Sequence, residues 1–286
     1  MHPKQPGVGV EQITTLRDGE TKPSSERPKV LVVEDNPLNA KLILAQLEQG
    51  GYRAISVESG EAALAALAAT SSLPVLMDCG LPGIDGYTTT REIRLREAPE
   101  RHMIVIGLSS NTAESARAAC LEAGMDGYIE RPVTTSELLT QIRRLSSRSE
   151  STATSDKGTE RPDSISGMAT ETLDTNVLAE LASLPGADGS SLLVQLIEIF
   201  IRNLPEMLRN LLDARRAGSK ELAQAAHRLK SAATTLGASR LAAVCKTLEE
   251  FCRHDDQSTL EKLLAEVPLE AGRLTEKLKE IRSATH

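Results

Sequence analysis

The chain has 286 residues, enough for two ordinary domains with tails, and its 33 basic and 40 acidic residues give a net charge of -7. That balance argues against non-specific binding to nucleic acid or to an anionic membrane surface, since both require a basic field. Tryptophan is absent and aromatics make up 2%, so the cores have to be aliphatic and alanine-rich, and no apolar run approaches the roughly 20 residues of a membrane span.

The first 28 residues alternate Pro, Gly, Ser and charges without periodicity and read as a flexible leader. Gly7-Val8-Gly9 follows no strand and belongs to that tail. The start Met1-His2-Pro3 lacks the hydrophobic segment of a signal peptide, so a cytoplasmic location is expected.

From Lys29 the pattern changes. Val30-Leu31-Val32-Val33 is a short β-branched run of the kind buried on both faces of a sheet. A helical pattern from Pro37 to Gln49 follows (Leu38, Leu42, Leu44, Leu47) and is closed by Gly50-Gly51. Alternation continues: strand Ala54 to Val57, helix Glu61 to Ala69, strand Val75 to Met77, a loop and helix to Arg96, and strand Met103 to Leu108. Asn111 and Glu114 are placed to cap a helix to Ala123. Strand Tyr128-Ile129 and a helix from Ser136, preceded by a Thr134/Glu137 capping box, complete the set. Five β–α repeats imply an α/β doubly wound parallel sheet covered on both faces, over residues 29–146.

Residues 147–173 are rich in Ser and Thr and poor in bulky apolar side chains, so they read as a linker. With no apolar surface there to dock them, the two halves are expected to fold independently. Residues 174–284 are helical throughout, in segments Asn176 to Leu184, Ser191 to Ala217, Lys220 to Leu236, Ser239 to Cys252 and Thr259 to Ile281. Ser258 and Glu261 form a further capping box, and Pro205 should kink or break the longest segment. Long helices with short connections make an all-α four-helix bundle. Cys79, Cys120, Cys245 and Cys252 show neither metal-binding spacing nor a disulfide framework.

Ligands of a doubly wound sheet bind at the carboxyl ends of its strands. Glu34 and Asp35 follow the first strand, Asp78 the third, Ser109 the fourth and Arg131-Pro132 the fifth. Carboxylates that close repel unless offset, and a hard divalent cation such as Mg²⁺ offsets them. A nucleophilic carboxylate, a metal, a hydroxyl and a cation are what phosphoryl transfer onto a carboxylate requires. Any one of these residues alone would pass for a solubilising loop residue; five at strand ends do not.

These stretches, Val32 to Pro37, Leu76 to Gly86 and Gly124 to Pro132, resemble the signatures of response regulator receiver domains. The resemblance implies a flavodoxin-like receiver with Asp78 as phospho-acceptor and Mg²⁺ held by Glu34, Asp35, Asp78 and the backbone carbonyl of Gly80. It also implies Ser109 as switch hydroxyl and Tyr128 as the aromatic that reorients. Receivers carry lysine where this chain has Arg131, and arginine, though cationic, is planar, longer and forked.

In the helical half, Leu222, Ala225, Ala226, Leu229, Ala232, Ala233 and Leu236 recur as one apolar stripe. His227 lies just off it, and Lys230, Ser231 and Thr234 share its face, so the imidazole is expected on an exposed ridge among small residues with an assisting cation. A lone surface histidine is the plainer interpretation. The stretch Ala226 to Ala238, however, resembles the H-x-L-K-G-[SA]-A-x-x-L-G-A signature of histidine-containing phosphotransfer (HPt) domains, with Ser231 in place of the glycine. The resemblance implies that His227 carries a phosphoryl group exchanged with a receiver, this one or another.

Together the two resemblances imply a phosphorelay intermediate: a phosphoryl carrier rather than an ATP-dependent kinase. Its expected partners are a sensor histidine kinase and a receiver docking on the His227 helix, with no nucleic acid and no membrane. Two alternatives stand beside it. The receiver could be degenerate, serving as a docking or dimerisation module with His227 the only active site, which Arg131 favours. Or the chain could be a phosphate sink, the tail of a hybrid kinase, against which the Met start and leader argue mildly.

Overall fold

A computed structural model describes residues 27–69, 73–98, 101–110, 114–148, 172–186, 190–252 and 257–285. Most of the leader, most of the linker and the expected cap at Asn111 lie outside the described residues.

The first half alternates β1 (Lys29–Val33), α1 (Pro37–Gln49), β2 (Arg53–Val57), α2 (Gly60–Ala69), β3 (Val75–Asp78), α3 (Gly86–Arg96), β4 (Val105–Ser109), α4 (Glu114–Glu122), β5 (Gly127–Glu130) and α5 (Thr135–Arg148). All pairings are parallel, in the order β2-β1-β3-β4-β5. Strand residues face two cores in turn. Val30, Val32, Leu76, Ile106 and Ile129 pack with Ile43 and Leu47 of α1 and Leu138 and Ile142 of α5. Leu31, Val33, Val75, Met77 and Val105 pack with Ala63, Ile93 and Cys120 of α2, α3 and α4. Burial on both faces explains why the strands read as continuous apolar runs. The order reverses between β1 and β3, and there the ends of the two strands open a crevice.

The second half contains α6 (Thr175–Ser183), α7 (Leu192–Ala217), α8 (Ser219–Thr235), α9 (Ser239–Phe251) and α10 (Gln257–Ala284) around one aliphatic core. Pro205 does not end α7, which runs through it. A proline removes one backbone hydrogen bond and crowds one carbonyl. Leu196, Ile197, Phe200 and Leu204 before it or beside it and Leu211 after it are buried in the same core, which holds the two parts in line. α8 ends in a Schellman motif: Gly237 takes φ 68°, Ala238 N donates to Ala233 O (2.8 Å) and Gly237 N to Thr234 O (3.0 Å). That turn folds α9 back along α8.

The two halves pack against each other. Leu38 and Leu42 of α1 belong to the bundle's core, with Ala45 packed against it, while Ile43 and Leu47 of the same helix serve the sheet. α1 is thus apolar on two faces, and the second one seats the bundle. The linker's composition could not reveal this, because the docking surface lies on α1. No helix among the described residues is long and apolar enough to cross a membrane.

Candidate functional site

The crevice between β1 and β3 gathers Glu34, Asp35 and Asp78, each offering an oxygen within 4.8 Å of the others. Asp78 is the last residue of β3 and is 4% exposed; its Oδ1 accepts from Gly80 N (3.0 Å). Arg131, after β5, hydrogen-bonds Glu34 Oε2 and stands 3.7 Å from Asp78 Oδ2. Ser109 ends β4 and is buried. Thus the strand-end residues Glu34, Asp35, Asp78 and Arg131 converge on one pocket.

Burial raises the Glu34 carboxyl and Asp78 adds to the rise, while Arg131 opposes it. Burial and the neighbouring Asp78 push Asp35 up to about 6, against the pull of Arg228. Both shifts express the same physics: carboxylates crowded out of water favour their neutral form unless a cation joins them. Tyr128 on β5 has its phenol pushed up to about 12 by burial and by Glu130, against a hydrogen bond with Ser109 that lowers it, so the two expected switch groups touch each other.

The second centre lies on α8. His227 is not on an open ridge; its side chain is 19% exposed and faces the mouth of the acid pocket. A β-carbon placed on Gly80 would lie 2.7 Å from His227 Nε2, and Ser110 Oγ stands 3.4 Å from the same nitrogen. The imidazole therefore occupies the space that glycine leaves two residues beyond Asp78. Its other nitrogen, Nδ1, is 2.9 Å from Glu249 Oε1 on α9.

Lys230, expected as a cation on the exposed ridge, is instead 6% exposed and donates to Glu249 Oε2 (2.5 Å). Arg228, next to His227, pairs by charge with Asp35 (Nε to Oδ2, 2.9 Å) without the alignment of a hydrogen bond. Burial would raise Glu249, but the hydrogen bond from His227 and the charges of His227 and Lys230 outweigh it and hold the carboxyl at about 2. A cleft of about 470 Å³ beside the imidazole is lined by Gly80, Asp85, Lys220, Gln224 and Glu249 among others.

Glu249, Arg228, Ser110 and Asn39 escaped the sequence reading. Only Glu249 had a usable signal: it and His227 are equidistant in sequence from Ala238, so a tight turn there sets them face to face. Cys79 and Cys120, distant in sequence, bring their sulfurs to 3.6 Å, and all four cysteines are free and buried.

Comparison with known proteins agrees with this two-part construction. The family model described as the response regulator receiver domain matches residues 30–143, and the Hpt domain model matches residues 195–284. The chain is 28% identical over 256 residues to the sensor histidine kinase GacS of Pseudomonas protegens, covering 86% of this chain and 27% of that protein. It is also 28% identical to the sensory/regulatory protein RpfC of Xanthomonas campestris pv. campestris, covering 88% of this chain and 33% of the relative. It thus spans about a quarter to a third of the length of these relatives. Among solved structures, the receiver domain of sensor histidine kinase PA1611 from Pseudomonas aeruginosa PAO1, described with a magnesium ion coordinated in its active site cleft, is 39% identical. That match covers 41% of this chain and 96% of the other, with a TM-score of 0.38. The chain thus carries a response regulator receiver domain followed by an Hpt domain, which supports a place in two-component phosphorelay signalling.

Proposed function

We propose that this chain accepts a phosphoryl group on Asp78 from a histidine kinase and exchanges it with His227 of the same molecule. The observation that carries the reading is the approach of His227 Nε2 to Gly80, at the mouth of the Asp78 pocket. A second reading, in which α8 serves receivers on other chains alone, leaves that approach without a purpose.

The residues divide the work. An ionised Glu249 can only accept a hydrogen bond, so Nδ1 carries the ring proton whenever the imidazole is neutral, and Nε2 then keeps its lone pair for attack. In transfer from Asp78, a P–N bond forms at Nε2 as the P–O bond breaks, and its electron pair returns to the Asp78 carboxylate. The positive charge that develops on the imidazole is met through Nδ1–H by Glu249, and the returning negative charge by Arg131. Ser109 and Tyr128 would sense the phosphoryl group on Asp78, and Lys230 acts on the histidine indirectly, by fixing Glu249.

The three carboxylates suit Mg²⁺ by their chemistry, hard oxygen donors within one ion's reach. Glu34, Asp35, Asp78 and the Gly80 carbonyl would hold it, and its charge would offset that of a phosphoryl group's oxygens.

The test is to load the receiver with acetyl phosphate and Mg²⁺ and follow acid-labile phosphate on His227 at several protein concentrations. A first-order rate independent of concentration is expected, with Asp78→Ala abolishing it. A rate proportional to concentration, or undiminished labelling of Asp78→Ala, would overturn the reading.

A further inference from the structure

Asn39 of α1 is 1% exposed, and its amide is fully committed. Nδ2 donates to Glu34 Oε1 (2.9 Å) and to Ser231 Oγ of α8 (2.9 Å), while Oδ1 accepts from Thr235 Oγ1 (2.7 Å). The other oxygen of Glu34 takes Arg131. A continuous polar chain therefore runs from the end of β5 through the acid pocket and into the bundle, and Arg131, Glu34, Asn39, Ser231 and Thr235 are all buried. Its two ends include Arg131 and Ser231, the positions where this chain departs from the two signatures it otherwise follows.

A buried amide gains modestly from each bond it makes and loses heavily when a partner is missing. A helix offering no hydroxyl at 231 and 235 would leave Asn39 unsatisfied, and a receiver without an amide at 39 would leave those hydroxyls to the backbone. Discrimination of this kind works by penalising the wrong partner. We propose that Asn39, Ser231 and Thr235 form a specificity lock that holds His227 on its own receiver and so withholds it from others. The proposal rests on the reading that Asp78 and His227 exchange within one chain.

Two full-length chains test it. The donor carries His227→Gln and phosphate on Asp78; the acceptor carries Asp78→Asn and an intact His227. With the lock intact, the acceptor's histidine is occupied by its own receiver and exchange between chains is slow. Adding Asn39→Ala to the acceptor should raise that rate about tenfold, a coupling ordinary for residues sharing one hydrogen-bond network. Small-angle scattering supplies a readout that needs no phosphate. The wild type should be compact, Asn39→Ala and Ser231→Ala should each enlarge its radius of gyration, and the double variant should be no larger than the looser single. Because Ser231→Ala leaves the receiver untouched, it keeps the test valid if Asn39→Ala disturbs Glu34. A compact wild type that neither variant loosens, with inter-chain exchange unchanged, or additive effects of the two, overturns the lock alone. An extended wild type overturns the lock together with the docking beneath it. Absence of phosphate on His227 in every chain overturns the transfer reading, while scattering still decides the lock.

Discussion

The acid pocket draws its side chains from the ends of β1, β3 and β5, whereas the histidine centre is one face of α8 completed by a single carboxylate from α9. In the pocket, crowded carboxylates are driven toward their neutral forms and need cations brought to them. At the histidine, the balance is reversed: a carboxylate with two cationic or hydrogen-bonding partners stays ionised far into acid. The first arrangement gathers charge for chemistry; the second orients one ring. The pocket holds the groups that can offset a phosphoryl charge, and the bundle contributes a nucleophile aimed at it.

The comparison breaks most readily at the point where the centres meet. Gly80→Ala puts a carbon 2.7 Å from Nε2, closer than such contacts occur. Either the imidazole withdraws or the domains part, and a displacement near 1 Å at a reacting atom costs on the order of 10²-fold. We expect transfer between Asp78 and His227 to fall by about that factor while acetyl phosphate still labels Asp78. Labelling and transfer measured side by side on the same preparation separate the two effects. Unchanged transfer would remove the basis for exchange within one chain.

Glu249→Gln sharpens the contrast within the bundle. The amide keeps the shape but loses the charge, and its NH₂ can donate to Nδ1, which moves the ring proton to Nε2 and blocks the reacting nitrogen. Removing such an orienting partner costs about 10- to 100-fold in comparable sites, and single-turnover transfer should slow by that much. The same carboxyl sets an acid dependence. Its pKa falls on folding from the ordinary 4.5 to about 2, so its stabilisation is complete above about pH 4.5 and is lost as pH drops toward 2. Acid unfolding followed by circular dichroism should show that loss in the wild type and a weaker pH dependence over the same window in Glu249→Gln.

The smallest effect is expected from Arg228→Met. Its side chain is more than a third exposed, and its Nε meets Asp35 without hydrogen-bond alignment. An ion pair open to solvent on one side and poorly aligned contributes little, about 0–1 kcal/mol. Thermal melting should shift little, and transfer should fall by no more than severalfold, the more visibly at low salt. A loss as large as that of Gly80→Ala would mean that the receiver is held chiefly by charge and not by the apolar face of α1.

Sequence and structure part company at identifiable places. Glu34, Asp35, Asp78, Ser109 and Arg131 were legible because parallel strands deliver their carboxyl ends to one edge, so position along the chain translates directly into position in space. The α8 stripe was legible because helical periodicity is local. Pro205 misled because its local cost is small beside an apolar core that both sides of α7 share. Leu38 and Leu42 misled differently: a leucine on a helix announces that it will be buried, but not against what.

What the sequence by itself determined is the pair of folds and the residues at each strand end and on each helix face, since both follow from periodicities of a few residues. What only the tertiary structure decided is the meeting of the two domains: Asn39 against Ser231, Arg228 against Asp35, and His227 in the space left by Gly80. Those contacts join residues about 150 to 200 positions apart. No local pattern encodes such a pairing, because it depends on which apolar face remains uncovered once each domain has folded.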